Sequence, residues 1–214
     1  MDKNIFVKVE ENKHIEIAVE QEEFLFSASL LYSYLLTLHK KVSFFYGEKV
    51  DYKFTFLPWI DKIKTTPTPS AELSIVVDFS AKELFEYLES LDIKINKKMA
   101  TALCGELIYK SKNFLSDEVD GITFALLFKS IELGAEYKTC KDYLLLHKPL
   151  SYLRLKAKML DSMVLKKDAT IAEFVINDEL LTQTGATVWM AHEIAQEAYA
   201  LPYVKEIKII KEYN

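Results

Sequence analysis

An α/β protein is predicted, with a mostly parallel sheet flanked by helices and a small α+β lobe at the C-terminal end. Three features carry this. Strand-like and helix-like periods alternate over residues 14–46. Leu73-Ser74-Ile75-Val76-Val77-Asp78 is an apolar, β-branched run of the kind that parallel sheets bury on both faces. After a long helical stretch, the pattern returns to strand, helix, helix, strand from residue 169 on.

The elements follow in order. Ile5–Val9 and His14–Val19, separated by Glu-Asn-Lys, predict a β-hairpin. The charged step Glu20-Gln21-Glu22-Glu23 precedes a helix from Phe24 to His39, with Phe24, Leu25, Ala28, Leu31, Tyr32 and Leu35 at helical spacing. Acids in that first turn suit the helix dipole. Val42–Tyr46 is a strand, and residues 47–71 are rich in loop. Helices are predicted near 80–91, 96–111, 117–133, 137–146 and 150–163. Ser80 with Glu83 makes a capping box, and Gly134 is a C-terminal helix glycine. Then come a strand at Ala169–Ile176, helices at Asp178–Thr182 and Val188–Ala200, and a last strand at Val204–Ile210.

Composition narrows the chemistry. The chain has 214 residues, is 50% hydrophobic and 28% charged, and carries a net charge of −5, so it is neither disordered nor short of a core. Apolar stretches are broken by charge too often for a membrane span. The first residues, Met-Asp-Lys-Asn-Ile-Phe-Val-Lys, lack the apolar core of a secretory signal. Two cysteines, Cys104 and Cys140, make no disulfide framework, and a cytoplasmic location follows as the default expectation. The five glycines are dispersed, which excludes a phosphate-cradling glycine loop. A single arginine, Arg154, and a pI near 5.5 argue against duplex DNA as a partner.

Several side chains stand out. Asp78 closes a strand, where ligands of open α/β sheets gather. The four histidines, His14, His39, His147 and His192, are scattered without ligand spacing and read as surface or capping residues. Trp59 and Phe56, in Phe56-Leu57-Pro58-Trp59-Ile60, lie in a loop and are the candidate contacts for a partner. Phe44-Phe45-Tyr46 reads as strand packing rather than a base-stacking platform.

The order of elements resembles the DHH phosphoesterase superfamily, which includes RecJ-type exonucleases, with the nano-RNase branch the nearest in pattern. The resemblance runs nearly the length of the chain. Ile17-Ala18-Val19-Glu20-Gln21-Glu22-Glu23 is similar to the family's first motif, Val76-Val77-Asp78 to its strand-end aspartate, and Met99–Phe114 to its Ala-Thr-Ala-Leu…Gly…Asp-Thr-x-x-Phe stretch. The family resemblance implies a pair of divalent metals, typically manganese, cleaving phosphodiesters. Carried over residue by residue, the metal ligands are degenerate. The first-motif histidine falls on Ile17, its aspartates on Gln21 and Glu23, and the Asp-Thr pair on Lys110 and Ser111. Asp78 is retained. The Asp-His-His segment has no counterpart before the helix at Ser80, and the C-terminal lobe resembles only part of the DHH-associated domain.

An ammonium has no lone pair for a metal, so Lys110 in an aspartate's place opposes ion binding and is expected to pair with Asp78. The reading that follows is a pseudoenzyme with no cofactor. It spans a degenerate DHH-like domain over 1–148 and a helix with a partial DHH-associated lobe over 149–214. Protein–protein or self-association would cover the apolar surface that the missing segments expose. Two alternatives stay open. One is a weak phosphodiesterase on dinucleotides or short oligonucleotides, with manganese held by Glu23 and Asp78. The other is a binder of nucleotide or single-stranded RNA that does not cleave.

Overall fold

The structure, a computed structural model, describes residues 4–117 and 119–212. It is α/β and divides into two units, Met1–His147 and Lys148–Asn214. Among the described residues no helix is long and apolar enough to cross a membrane.

The first unit opens with helix α1 (Asn4–Glu11), not with the hairpin expected at residues 5–19. Phe6 and Val9, three residues apart, are buried on one face while Val7 is exposed; this is helical rather than alternating spacing. Strands β1 (His14–Val19), β2 (Lys41–Tyr46), β3 (Ile63–Lys64) and β4 (Leu73–Val76) form one all-parallel sheet in the order β3-β2-β1-β4. Ile15 pairs with Val42 on one side and Leu73 on the other. Ile15, Ile17, Val19, Phe44 and Ile75 join the main core. Packed into that core are α2 (Leu25–Thr37), α3 (Ala81–Ser90) and α4 (Lys97–Lys110). The helix expected from Phe24 is α2, and it is buried on every side from Leu25 to Leu35.

Cover on both faces of β4 is not what the structure shows. β4 is an edge strand, and Ser74 and Val76 are exposed while Ile75 is buried. The β-branched run reflects strand propensity there, not burial. On the sheet side of His14 and Glu16 the covering layer is chain at residues 68–70. Glu16 Oε1 accepts from Thr68 N and Glu16 Oε2 from Ser74 Oγ at 3.4 Å. His14 is therefore no surface residue. It is buried, with Nδ1 2.9 Å from Ser70 O and Nε2 2.8 Å from Ser43 Oγ.

The unit is completed by α5 (Gly121–Glu132) and α6 (Tyr137–Lys141), which runs on without a break into a π-helical turn at Asp142–Leu146, so the helix expected at 137–146 is present with a widened second half. The capping box is present: Ser80 Oγ accepts from Glu83 N at 3.1 Å, and Glu83 Oε2 accepts from Ser80 N at 2.8 Å. Gly134 takes the left-handed conformation that ends α5.

The second unit has α7 (Leu150–Asp161), β5 (Val164–Lys166), β6 (Ile171–Asn177), α8 (Asp178–Thr184), α9 (Val188–Gln196) and β7 (Glu206–Glu212). Its sheet runs β5-β6-β7, with β5 antiparallel to β6 and β7 parallel to it. β5, three exposed residues long, is too short to show a period in sequence. Leu155, Met159, Phe174, Ile176 and Ile194 form a separate core.

Candidate functional site

Three of the sequence-derived candidates, Gln21, Glu23 and Asp78, follow the carboxyl ends of strands, where open α/β sheets bind ligands, whereas Lys110 and Ser111 close a helix. Gln21 is exposed and extended after β1, and Glu23 is half-buried in the 3-10 turn Glu22–Phe24. Asp78 is exposed, two residues past β4. Lys110 ends α4. Ser111 is buried just beyond it, where its Oγ donates to Ile108 O at 3.2 Å and accepts from Phe114 N at 2.9 Å.

Lys110 does not pair with Asp78. Its Nζ lies 3.4 Å from Glu106 Oε1, one helical turn back on the same face. Glu106 is 2% exposed, and its two oxygens accept from Ala81 N at 2.8 Å and Lys82 N at 2.9 Å. The carboxylate thus bridges the first turn of α3 and the last turn of α4, helped by the positive end of the α3 dipole. This acid escaped sequence reading, although an acid four residues before Lys110 in an apolar helix was a visible signal.

A cavity of about 200 Å³ opens here, lined by Ser80, Lys82, Glu106, Lys110, Ser111 and Thr123 among others. Gln21, Glu23 and Asp78 do not line it. The hydroxyls are engaged locally: Ser80 Oγ donates to Glu83, Ser111 Oγ to Ile108 O, and Thr123 Oγ1 to Asp120 Oδ1. The loop beside it is strained. Lys112, Asn113 and Phe114 have φ of 48°, 59° and 62°, three successive left-handed residues without a glycine.

Glu22 faces a second cation that sequence reading missed. Lys53 Nζ donates to Glu22 Oε1 at 2.8 Å and lies 5.0 Å and 5.4 Å from the ring centroids of Phe54 and Tyr109. Burial works against the Lys53 charge, but the Glu22 hydrogen bond and its other neighbours hold the pKa above the ordinary lysine value. Burial pushes the Tyr109 phenol up.

These donors do not suit the metal pair that the resemblance implies. Among the described residues no group of three or more His, Cys, Asp or Glu side chains converges. Lys110, which the resemblance sets at a ligand position, carries an ammonium, and an ammonium cannot coordinate.

The partner candidates are half-buried. Trp59 adopts φ 69°, its Nε1–H donates to Ser33 Oγ at 2.8 Å, its ring stacks on Tyr32 at 5.2 Å, and Lys98 Nζ lies 3.5 Å from its centroid. Phe56 packs on Tyr143 at 5.7 Å.

No family model matches the chain, and no curated protein matches it. Among solved structures it is similar to an exopolyphosphatase-related protein from Bacteroides fragilis, with a TM-score of 0.77 at 12% identity, over 94% of this chain and 76% of that one. At that identity the likeness is one of fold, an α/β architecture shared over most of this chain.

Proposed function

We propose that the chain is a non-catalytic relative of the DHH phosphoesterases that acts by association, with a protein partner or with itself. The observation that carries this is the Glu106–Lys110 clasp. Where a hydrolase would present an acid to a metal, this chain presents an ammonium tied to a buried carboxylate. That carboxylate is itself spent on the α3 backbone, so it is no free general base. Two-metal cleavage needs ions to generate and clamp the attacking water, and among the described residues no cluster of three donors for them is assembled.

The test is manganese titration by isothermal calorimetry beside a dinucleotide hydrolysis assay. The expected result is neither saturable heat nor release of mononucleotide. Manganese-dependent turnover that disappears in Asp78→Ala would restore the hydrolase. Lys82 and Lys110 on the cavity favour one second reading, binding of a nucleotide or short RNA without cleavage. It predicts saturable binding that Lys110→Ala weakens.

A further inference from the structure

α5 buries Leu126 and Ser130 and leaves an apolar face in solvent. Phe124, Phe128 and Ile131 follow helical spacing and are 52%, 62% and 43% exposed. The Phe114 ring stacks on Phe124 at 5.4 Å, and the next residue, Leu115, is 82% exposed. A solvated face would carry polar side chains at these positions. The nearby Lys129 turns back onto its own chain, donating to Glu89 Oε2 at 2.7 Å.

A fully exposed aromatic side chain presents about 150–250 Å². Phe124 and Phe128 alone therefore leave about 200 Å² of ring surface in water, and the aliphatic neighbours roughly double it. That is the apolar centre of a standard interface of about 800 Å² per partner.

The pattern along the helix identifies the occupant. Gly121, Phe124, Ala125 and Phe128 share one side, large alternating with small. Laid antiparallel on its own copy about the midpoint of Phe124 and Ala125, the helix sets each phenylalanine against a small residue. Phe128 meets Gly121, and Phe124 meets Ala125. We propose that α5 is the two-fold contact of a homodimer, its apolar face covered by α5 of a second copy. This rests on the association reading above and names the partner.

The test is size-exclusion chromatography with light scattering on the full chain at about 100 μM, where even a weak homodimer populates. The expected mass is that of a dimer. Phe128→Asp, on an exposed position, keeps the far-ultraviolet circular dichroism and raises the dimer dissociation constant more than about 30-fold. Ala125→Cys, beside the two-fold axis, forms a covalent dimer under copper–phenanthroline, and the wild-type chain, with both cysteines buried, does not. A monomer at that concentration, a dimer untouched by Phe128→Asp, or no cross-link from Ala125→Cys would each overturn the proposal. A monomer without manganese uptake removes the dimer but leaves the non-catalytic reading, whereas manganese-dependent turnover removes that reading alone.

Discussion

The Glu106 carboxylate holds the Lys110 ammonium at 3.4 Å while accepting the backbone N–H groups of Ala81 and Lys82. The two partners contribute unequally. Lys110 is partly in water, where an ion pair contributes under about 1 kcal/mol. The bonds from Ala81 and Lys82 go to a buried charged acceptor, and each is worth about 1.5–3 kcal/mol. Glu106→Ala is therefore expected to lower stability by at least about 2 kcal/mol, and Lys110→Ala by less than about 1 kcal/mol. Urea unfolding of the two variants checks the asymmetry, and equal losses would refute it.

At Gly105, α4 packs close against two aromatic rings. A Cβ there would lie 2.9 Å from Phe26 Cε1 and 3.1 Å from Phe56 Cζ. Both rings are held by packing, Phe26 fully buried against Phe54. Gly105→Ala is expected to cost about 1–3 kcal/mol through overpacking, against the usual gain from removing a helical glycine. A raised melting temperature would show that the rings move aside freely.

Lys112, at φ 48°, opens the left-handed turn after α4. Lys112→Gly should stabilise by up to about 1 kcal/mol, because strain of about 1–2 kcal/mol exceeds the added chain entropy. Lys112→Val should destabilise, since a β-branched residue tolerates this region worst. Thermal melts of the pair give opposite signs if the turn persists in solution.

Acid is expected to weaken the fold through carboxylates that accept backbone N–H groups. The N–H of Ser80 holds Glu83 below the ordinary glutamate value, those of Lys13 and His14 do so for Glu72, and that of Thr123 lowers Asp120. A depressed native pKa means that the unfolded chain takes up the proton first. The contribution is thus complete above about pH 4.5 and lost as pH falls through the lower native values. Urea midpoints measured from pH 7 to pH 3 should decline below that point, and less steeply in Glu83→Gln.

Most of the first unit was legible because its signals are local. Ser80 and Glu83 announce a helix start three residues apart, and β1, β2 and β4 are apolar runs between charged breaks. Residues 5–9 misled because Ile-Phe-Val-Lys-Val fits a strand and a helix equally over so few positions. The site was read less well. Lys110 and Ser111 line the cavity, but the clasp depends on Glu106 reaching the N-terminus of α3, a tertiary contact that no spacing announces. The α5 face had a signal in composition: Ile122, Phe124, Leu126, Leu127, Phe128 and Ile131 are more apolar residues than one buried face requires.

The central strand β1 acquires its neighbours from distant parts of the chain. Val42 comes to one side of Ile15 and Leu73 to the other, and His14 and Glu72 are bonded across 58 positions. Each pairing must close a long loop before contacts repay the lost entropy. Refolding should accordingly be slow for a chain so rich in helix, with β1 bare along one edge until β4 docks. Dilution and low temperature during that interval, rather than any change to the native contacts, are the conditions that favour recovery of folded protein.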